Sequence, residues 1–212
     1  MQRFTFHDRV RRFSMAALFT LVTLSAHSAD IVIGQVAPLS GVLASTGRDM
    51  VLGAKIYFDH INASGGINGS KIRRVVLDDA YKVDETVRLT QELIEKHQAA
   101  ALIGFAGTAN VGELLKRGVL ESGRIALVAP YTGGEVLRTE ANRNIFHIRA
   151  GYADEAEHMI DHLVTLGMQR IAVFYQNDGF GEAGKQGVEK ALARRNLKLA
   201  AAASYERNTD DV

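Results

Sequence analysis

Ile31-Val32-Ile33-Gly34-Gln35-Val36-Ala37-Pro38-Leu39-Ser40-Gly41 decides the fold. The run from Ile31 to Ala37 is uncharged and rich in β-branched residues, too short for an ordinary helix, and Pro38 ends it by removing a ladder donor. An apolar run without polar alternation reads as a strand covered on both faces, the kind found in parallel sheets. Further strand candidates, most of them β-branched and free of charge, are Arg74 to Asp78, Ala100 to Phe105, Ile125 to Ala129, Ile145 to Ile148, Ile171 to Tyr175 and Leu197 to Tyr205. Between these runs lie helical stripes: Val51, Ala54, Phe58 and Ile61; then Val83, Val87, Thr90 and Ile94; then Ala156, Met159, Ile160, Leu163 and Val164. Strands alternating with amphipathic helices predict an α/β protein with parallel sheets.

The composition agrees. The 212 residues are 47% apolar and 23% charged, with 20 Gly, 2 Pro and no Cys or Trp. This is the make-up of a globular chain, and it excludes a disulfide scaffold, a zinc-cysteine module and a disordered tail. A net charge of +1 is too balanced for the basic footprint that nucleic-acid phosphates require, so nucleic acid is not an expected partner.

Residues 1–29 read as a secretory signal peptide. Arg3, Arg9, Arg11 and Arg12 precede an apolar run from Met15 to Leu24, and small residues follow through Ser25-Ala26-His27-Ser28-Ala29. That run is half the length of a membrane span, which takes ~20 residues. Cleavage near Ala29 removes four arginines and one aspartate, turning +1 into −2. The expectation is a mildly acidic exported chain, and the lack of thiols suits an oxidising compartment.

In open parallel sheets, ligands bind beyond the carboxyl edges of the strands. Both prolines, Pro38 and Pro130, follow strands, and the loops to watch are Leu39 to Gly47, Ala106 to Asn110, Tyr131 to Gly134 and Gln176 to Gly181. A change of register at Arg149-Ala150-Gly151-Tyr152 suggests a crossing between lobes. Residues 30–148 then form an N-terminal lobe and 149–212 a partial second one, since two strands and two helices are too few for a closed core.

Several constellations carry chemistry. Gly104-Phe105-Ala106-Gly107-Thr108-Ala109-Asn110 runs from a strand into a helix, and a helix start with a hydroxyl can hold a carboxylate; a plain cap by Thr108 reads equally from the same residues. Tyr131-Thr132-Gly133-Gly134 offers a ring, a hydroxyl and close backbone approach, or simply a turn. Tyr152 and Phe180 suit cleft wall or core. Gly179-Phe180-Gly181-Glu182-Ala183-Gly184 matches the dinucleotide fingerprint, but three residues separate it from its strand, where the fingerprint wants the glycine turn at the strand end. His158 and His162 stand four apart opposite an apolar stripe, which reads as a solvated face. Asp78-Asp79 lacks calcium-loop spacing and reads as a strand end and helix start. No serine elbow, phosphate loop or catalytic cysteine is present, so no enzyme and no cofactor is indicated.

Ile33 to Gly41, Thr46-Gly47, Gly53-Ala54, Ile61-Asn62-Ala63-Ser64-Gly65-Gly66-Ile67-Asn68-Gly69 and Asp78-Asp79 resemble, in order and spacing, the leucine/isoleucine/valine-binding family of periplasmic proteins. The resemblance continues through Ile103-Gly104, Ala129-Pro130, Arg149 to Glu155 and Asp178-Gly179-Phe180-Gly181. Tyr205-Glu206-Arg207-Asn208 looks like exported binding proteins of proteobacteria.

The resemblance implies a type I periplasmic binding fold of two Rossmann-like lobes, here with the second incomplete, closing on a small ligand and delivering it to ABC permease subunits. It also implies that Thr108, Ala109, Asn110, Tyr131 and Thr132 hold the ligand's carboxylate and polar groups, with Ser40, Thr46, Tyr152 and Phe180 as cleft walls. Against the branched-chain amino-acid pattern, Thr108 stands for a serine and both Thr46 and Phe180 for tyrosines. The alternatives are a sensory module of the same fold and, more remotely, an exported nucleotide-dependent enzyme.

Overall fold

All seven anticipated strands form in a computed structural model that describes residues 29–209. The expected signal peptide lies outside the described residues except for Ala29. The order is β1 (Ile31–Ala37), α1 (Ala44–Ala63), β2 (Ile72–Asp78), α2 (Val83–Glu95), β3 (Ala101–Ile103), α3 (Thr108–Lys116), a short α4 (Val119–Ser122) and β4 (Leu127–Val128). A 3-10 turn (Glu135–Leu137), β5 (Ile145–Phe146), α5 (Tyr152–Thr165), β6 (Ala172–Gln176), α6 (Gly179–Ala193) and β7 (Ala201–Tyr205) complete it.

Every strand pairing is parallel. One sheet has the order β2-β1-β3-β4-β5, and β6 pairs with β7 in a second. The first is a doubly wound arrangement whose strand order reverses between β1 and β3, the crevice where such sheets take ligands. Its core lies where the helices cover the strands: Val36, Leu102 and Leu127 pack with Val87, Leu89 and Leu93 of α2 and with Val111 and Leu114 of α3. Of the stripes read from the sequence, that on α2 is covered, with Val87 and Thr90 buried and Val83 and Ile94 half-buried, while Val51, Ala54, Phe58 and Ile61 of α1 are half-buried. On α5, Ala156 and Ile160 are buried while Met159, placed on the same stripe, is exposed. A smaller cluster joins Ile160 to Ala191 and Leu192 of α6.

Strand ends differ from expectation where they meet the carboxyl edge. β3 stops at Ile103 because Gly104 takes φ +62°, and β4 stops at Val128 because Ala129 takes φ +54°. Both values leave the extended region and turn the chain away from the ladder. β5 ends at Phe146, with Ile148 exposed beyond it. β7 begins at Ala201, since Leu197 and Leu199 pack against the Ile160–Leu192 cluster instead of pairing. Among the described residues no helix is long and apolar enough to cross a membrane.

Candidate functional site

The carboxyl ends of six strands open onto one cleft of about 290 Å³. Val42 and Leu43 follow β1, Tyr81 follows β2, Gly107 follows β3 and Tyr131 follows β4. From the other sheet come Gln176 at the end of β6, Tyr205 at the end of β7, and Tyr152 and Phe180 in the first turns of α5 and α6, with Asn208 and Thr209 beyond. Each sheet thus contributes a wall, as ligand sites of parallel sheets do.

Tyr81 is placed by its neighbours. Ala80 and Tyr81 adopt φ of +47° and +60°, a left-handed pair costing about 1–2 kcal/mol per residue without glycine. Two carboxylates hold the turn: Asp78 Oδ1 accepts from the Ala80 amide at 2.8 Å, and Asp79 Oδ1 from the Tyr81 amide at 2.9 Å. Asp78 also accepts from the Leu39 amide at 2.8 Å and from the Ser40 hydroxyl at 2.6 Å, tying the loop after β1 to the end of β2. Its slight burial raises its carboxyl, but the hydrogen bonds from Ser40, Ala80 and Leu39 prevail and hold it below the usual range. Burial pushes the Tyr81 phenol up, while the Gln176 side chain, hydrogen-bonded to it, and nearby Arg207 pull it down.

Beneath the cleft lies a polar network that joins the two sheets. The Arg207 guanidinium sits 3.6 Å from the Tyr81 ring centroid and donates to the Tyr81 carbonyl, to Asn110 Oδ1 and, at 3.1 Å, to Asp178 Oδ2. Asn110 in turn donates to the Thr86 hydroxyl at 2.7 Å, and that hydroxyl donates to Asp79 at 2.5 Å. Asp79 is buried, and this desolvation lifts its carboxyl above the ordinary range despite the hydrogen bonds from Thr86 and Tyr81.

The residues picked out from sequence fall into three places. Tyr131, Tyr152 and Phe180 line the cleft together. Thr108, Asn110 and Thr132 are buried behind its wall, where the hydroxyls of Thr108 and Thr132 share a hydrogen bond of 2.6 Å and Asn110 belongs to the Arg207 network. Ala109 is half-buried beside Thr108, Thr46 is half-buried in the first turn of α1, and Ser40 is exposed against Asp78. Tyr81, Tyr205 and Arg207 were not among the site residues expected from the sequence. The loop after β2 lies at the same carboxyl edge as the loops that were singled out, so the edge rule finds Tyr81 once applied to every strand.

Within the Gly179–Gly184 pattern, Gly181 has a packing role. Asp178 caps α6, its Oδ1 accepting from the Phe180 amide at 2.9 Å and the Gly181 amide at 3.3 Å, so a carboxylate of the chain occupies the place a pyrophosphate takes in the fingerprint. A Cβ on Gly181 would fall 1.9 Å from the Gln176 carbonyl oxygen. His158 and His162 are exposed. Among the described residues, no three His, Asp or Glu side chains are grouped to hold a metal ion.

A sequence model of the family described as Periplasmic binding protein matches residues 30–212. The chain belongs to that family. A crystal structure of a substrate-binding periplasmic protein from Ralstonia solanacearum is 44% identical with a TM-score of 0.83, over 86% of this chain and 51% of that one. An amino acid binding protein of Pseudomonas aeruginosa is 30% identical over 86% of this chain and 49% of its own length. A Leu/Ile/Val-binding protein homolog of Brucella melitensis is 27% identical over 87% of this chain and 50% of its own. The chain therefore spans about half the length of the relatives it matches. These relatives are named as binding proteins, in keeping with a family whose members bind rather than catalyse.

Proposed function

We propose that the chain is the N-terminal part of an exported solute-binding protein that holds a branched-chain amino acid or a related small carboxylate or amide and passes it to ABC permease subunits. Residues 30–148 are the N-terminal lobe and 149–212 part of the second, with residues 1–29 as the export signal. The observation that carries this reading is the cleft itself: both parallel sheets direct their carboxyl edges into one space, and Tyr131 of the first sheet faces Tyr152 and Phe180 of the second element group across it. Thr108, Ala109, Asn110 and Thr132 form the frame behind the first wall, with Ser40 and Thr46 at its margin. Ligand favours the closed arrangement by the contacts it makes with both lobes at once.

The names of the Pseudomonas and Brucella relatives support amino acids as the first ligands to try. The test is thermal unfolding of the full-length gene product against a panel of amino acids and small carboxylates. A binder raises the midpoint progressively with the logarithm of its concentration. A panel in which no compound moves the midpoint removes the reading.

A further inference from the structure

Five of the residues facing the cleft carry aromatic rings: Tyr81, Tyr131, Tyr152, Phe180 and Tyr205. They are not loose side chains. Tyr152 and Phe180 meet edge to face, with centroids 5.5 Å apart and planes at 69°. Arg149 places its guanidinium 5.3 Å from the Tyr131 centroid and 5.5 Å from that of Tyr152, bridging the rings of the two walls. Tyr81 carries the Arg207 guanidinium over its ring, 3.6 Å from the centroid.

The backbone is shaped around these rings. A Cβ on Gly133 would lie 2.7 Å from Tyr152 Cδ1, and one on Gly107 would lie 2.8 Å from Tyr81 Cε2. Two glycines in the loops of the first wall thus leave the space in which two rings sit. Tyr131 and Phe180 nonetheless keep 49% and 38% of their surface exposed, so ring surface remains available to a ligand.

Both arginines beside the rings, and the two threonine hydroxyls behind the first wall, already have partners within the chain. Arg149 is paired with Glu155, Arg207 with Asp178, and the Thr108 hydroxyl with that of Thr132. What the described walls offer is a preorganised set of rings, and such a set loses little conformational freedom when a ligand arrives. Aromatic pairs also gain from offset or edge-to-face geometry beyond the area they bury.

We infer that the cleft prefers ligands whose body is an aromatic ring over aliphatic ligands with the same head group. This rests on the small-carboxylate reading proposed above and narrows it. The experiment is calorimetric titration of the full-length protein with two matched pairs: phenylalanine against leucine, and phenylacetate against 3-methylbutanoate. Within each pair the head group is constant and only the body changes.

In at least one pair the aromatic member is expected to bind about tenfold more tightly. Phe180→Leu, which keeps an apolar side chain and removes the ring, should cut that ratio by at least about threefold with the far-ultraviolet spectrum unchanged. Aliphatic members binding as tightly as their aromatic partners, or more so, overturn the inference and leave the carboxylate reading standing. If neither member of either pair binds, the inference falls, and the wider panel of amino acids and carboxylates decides the small-ligand reading.

Discussion

Arg207 stacks 3.6 Å from the centroid of the Tyr81 ring although the two residues stand 126 positions apart in the chain. The contact joins the end of the β6–β7 sheet to the loop after β2. It is reinforced by donation to Asn110 and by the ion pair with Asp178, both partners being largely shielded from water. A cation desolvated over an aromatic face and bonded to three acceptors holds its geometry better than any one contact could.

Arg207→Ala should therefore destabilise the full-length protein by about 3 kcal/mol, because the shielded Asp178 carboxylate loses its charge partner and the buried Asn110 side-chain carbonyl loses its donor. Arg207→Lys should recover less than half of that, since an ammonium cannot reproduce the planar fork and stacking. Urea unfolding measures both. A loss below ~1 kcal/mol, the scale of an exposed ion pair, contradicts the clasp.

Gly134 has φ −60° and ψ 123°, a conformation alanine adopts freely. Its obstacle is steric, because a Cβ there would lie 2.4 Å from the Cγ2 methyl of buried Thr108. Gly134→Ala should cost about 1–3 kcal/mol by overpacking. Adding Thr108→Ser removes that methyl and keeps the hydroxyl bonded to Thr132, so the double variant should regain most of the loss. Equal stability of the single Gly134→Ala variant and the double variant contradicts this packing.

Asp79 gives the fold a pH dependence of defined sign. Burial raises its carboxyl, hydrogen bonds from Thr86 and Tyr81 partly offset this, and Asp78 raises it while Arg207 lowers it. The folded chain keeps a proton that the unfolded chain releases. This group's contribution is thus full below about pH 4, the ordinary aspartate pKa, and is lost as pH rises through the higher folded value. Asp79→Asn keeps the acceptor for the Tyr81 amide and should flatten that part of the stability profile. Urea midpoints from pH 4 to pH 7 that run parallel for both proteins contradict the assignment.

Much of this architecture was legible in the amino-acid order because continuous apolar runs admit few alternatives. β1 and the carboxyl-edge loops at Tyr131 and Phe180 followed from strand patterning and the edge rule alone. Strand ends were less legible: Ala129 takes a left-handed φ that local sequence does not demand, since its surroundings impose it. The roles of Thr108 and Asn110 were ambiguous for another reason. A hydroxyl or amide at a helix start serves a ligand or a neighbour equally well until the neighbour is located, and here Thr132, Thr86 and Arg207 stand within hydrogen-bond reach. Arg207 itself was unreadable as a clasp, because its meaning depends on a partner 126 residues away.

The central claim is that a small ligand sits between the two sheets, and a crystal structure of the full-length protein with its tightest-binding compound tests it most directly. The account predicts the ligand between Tyr131 on one wall and Tyr152 and Phe180 on the other, with the Arg207–Asp178 pair intact beneath it. A ligand bound anywhere else, with these three rings out of contact, contradicts it.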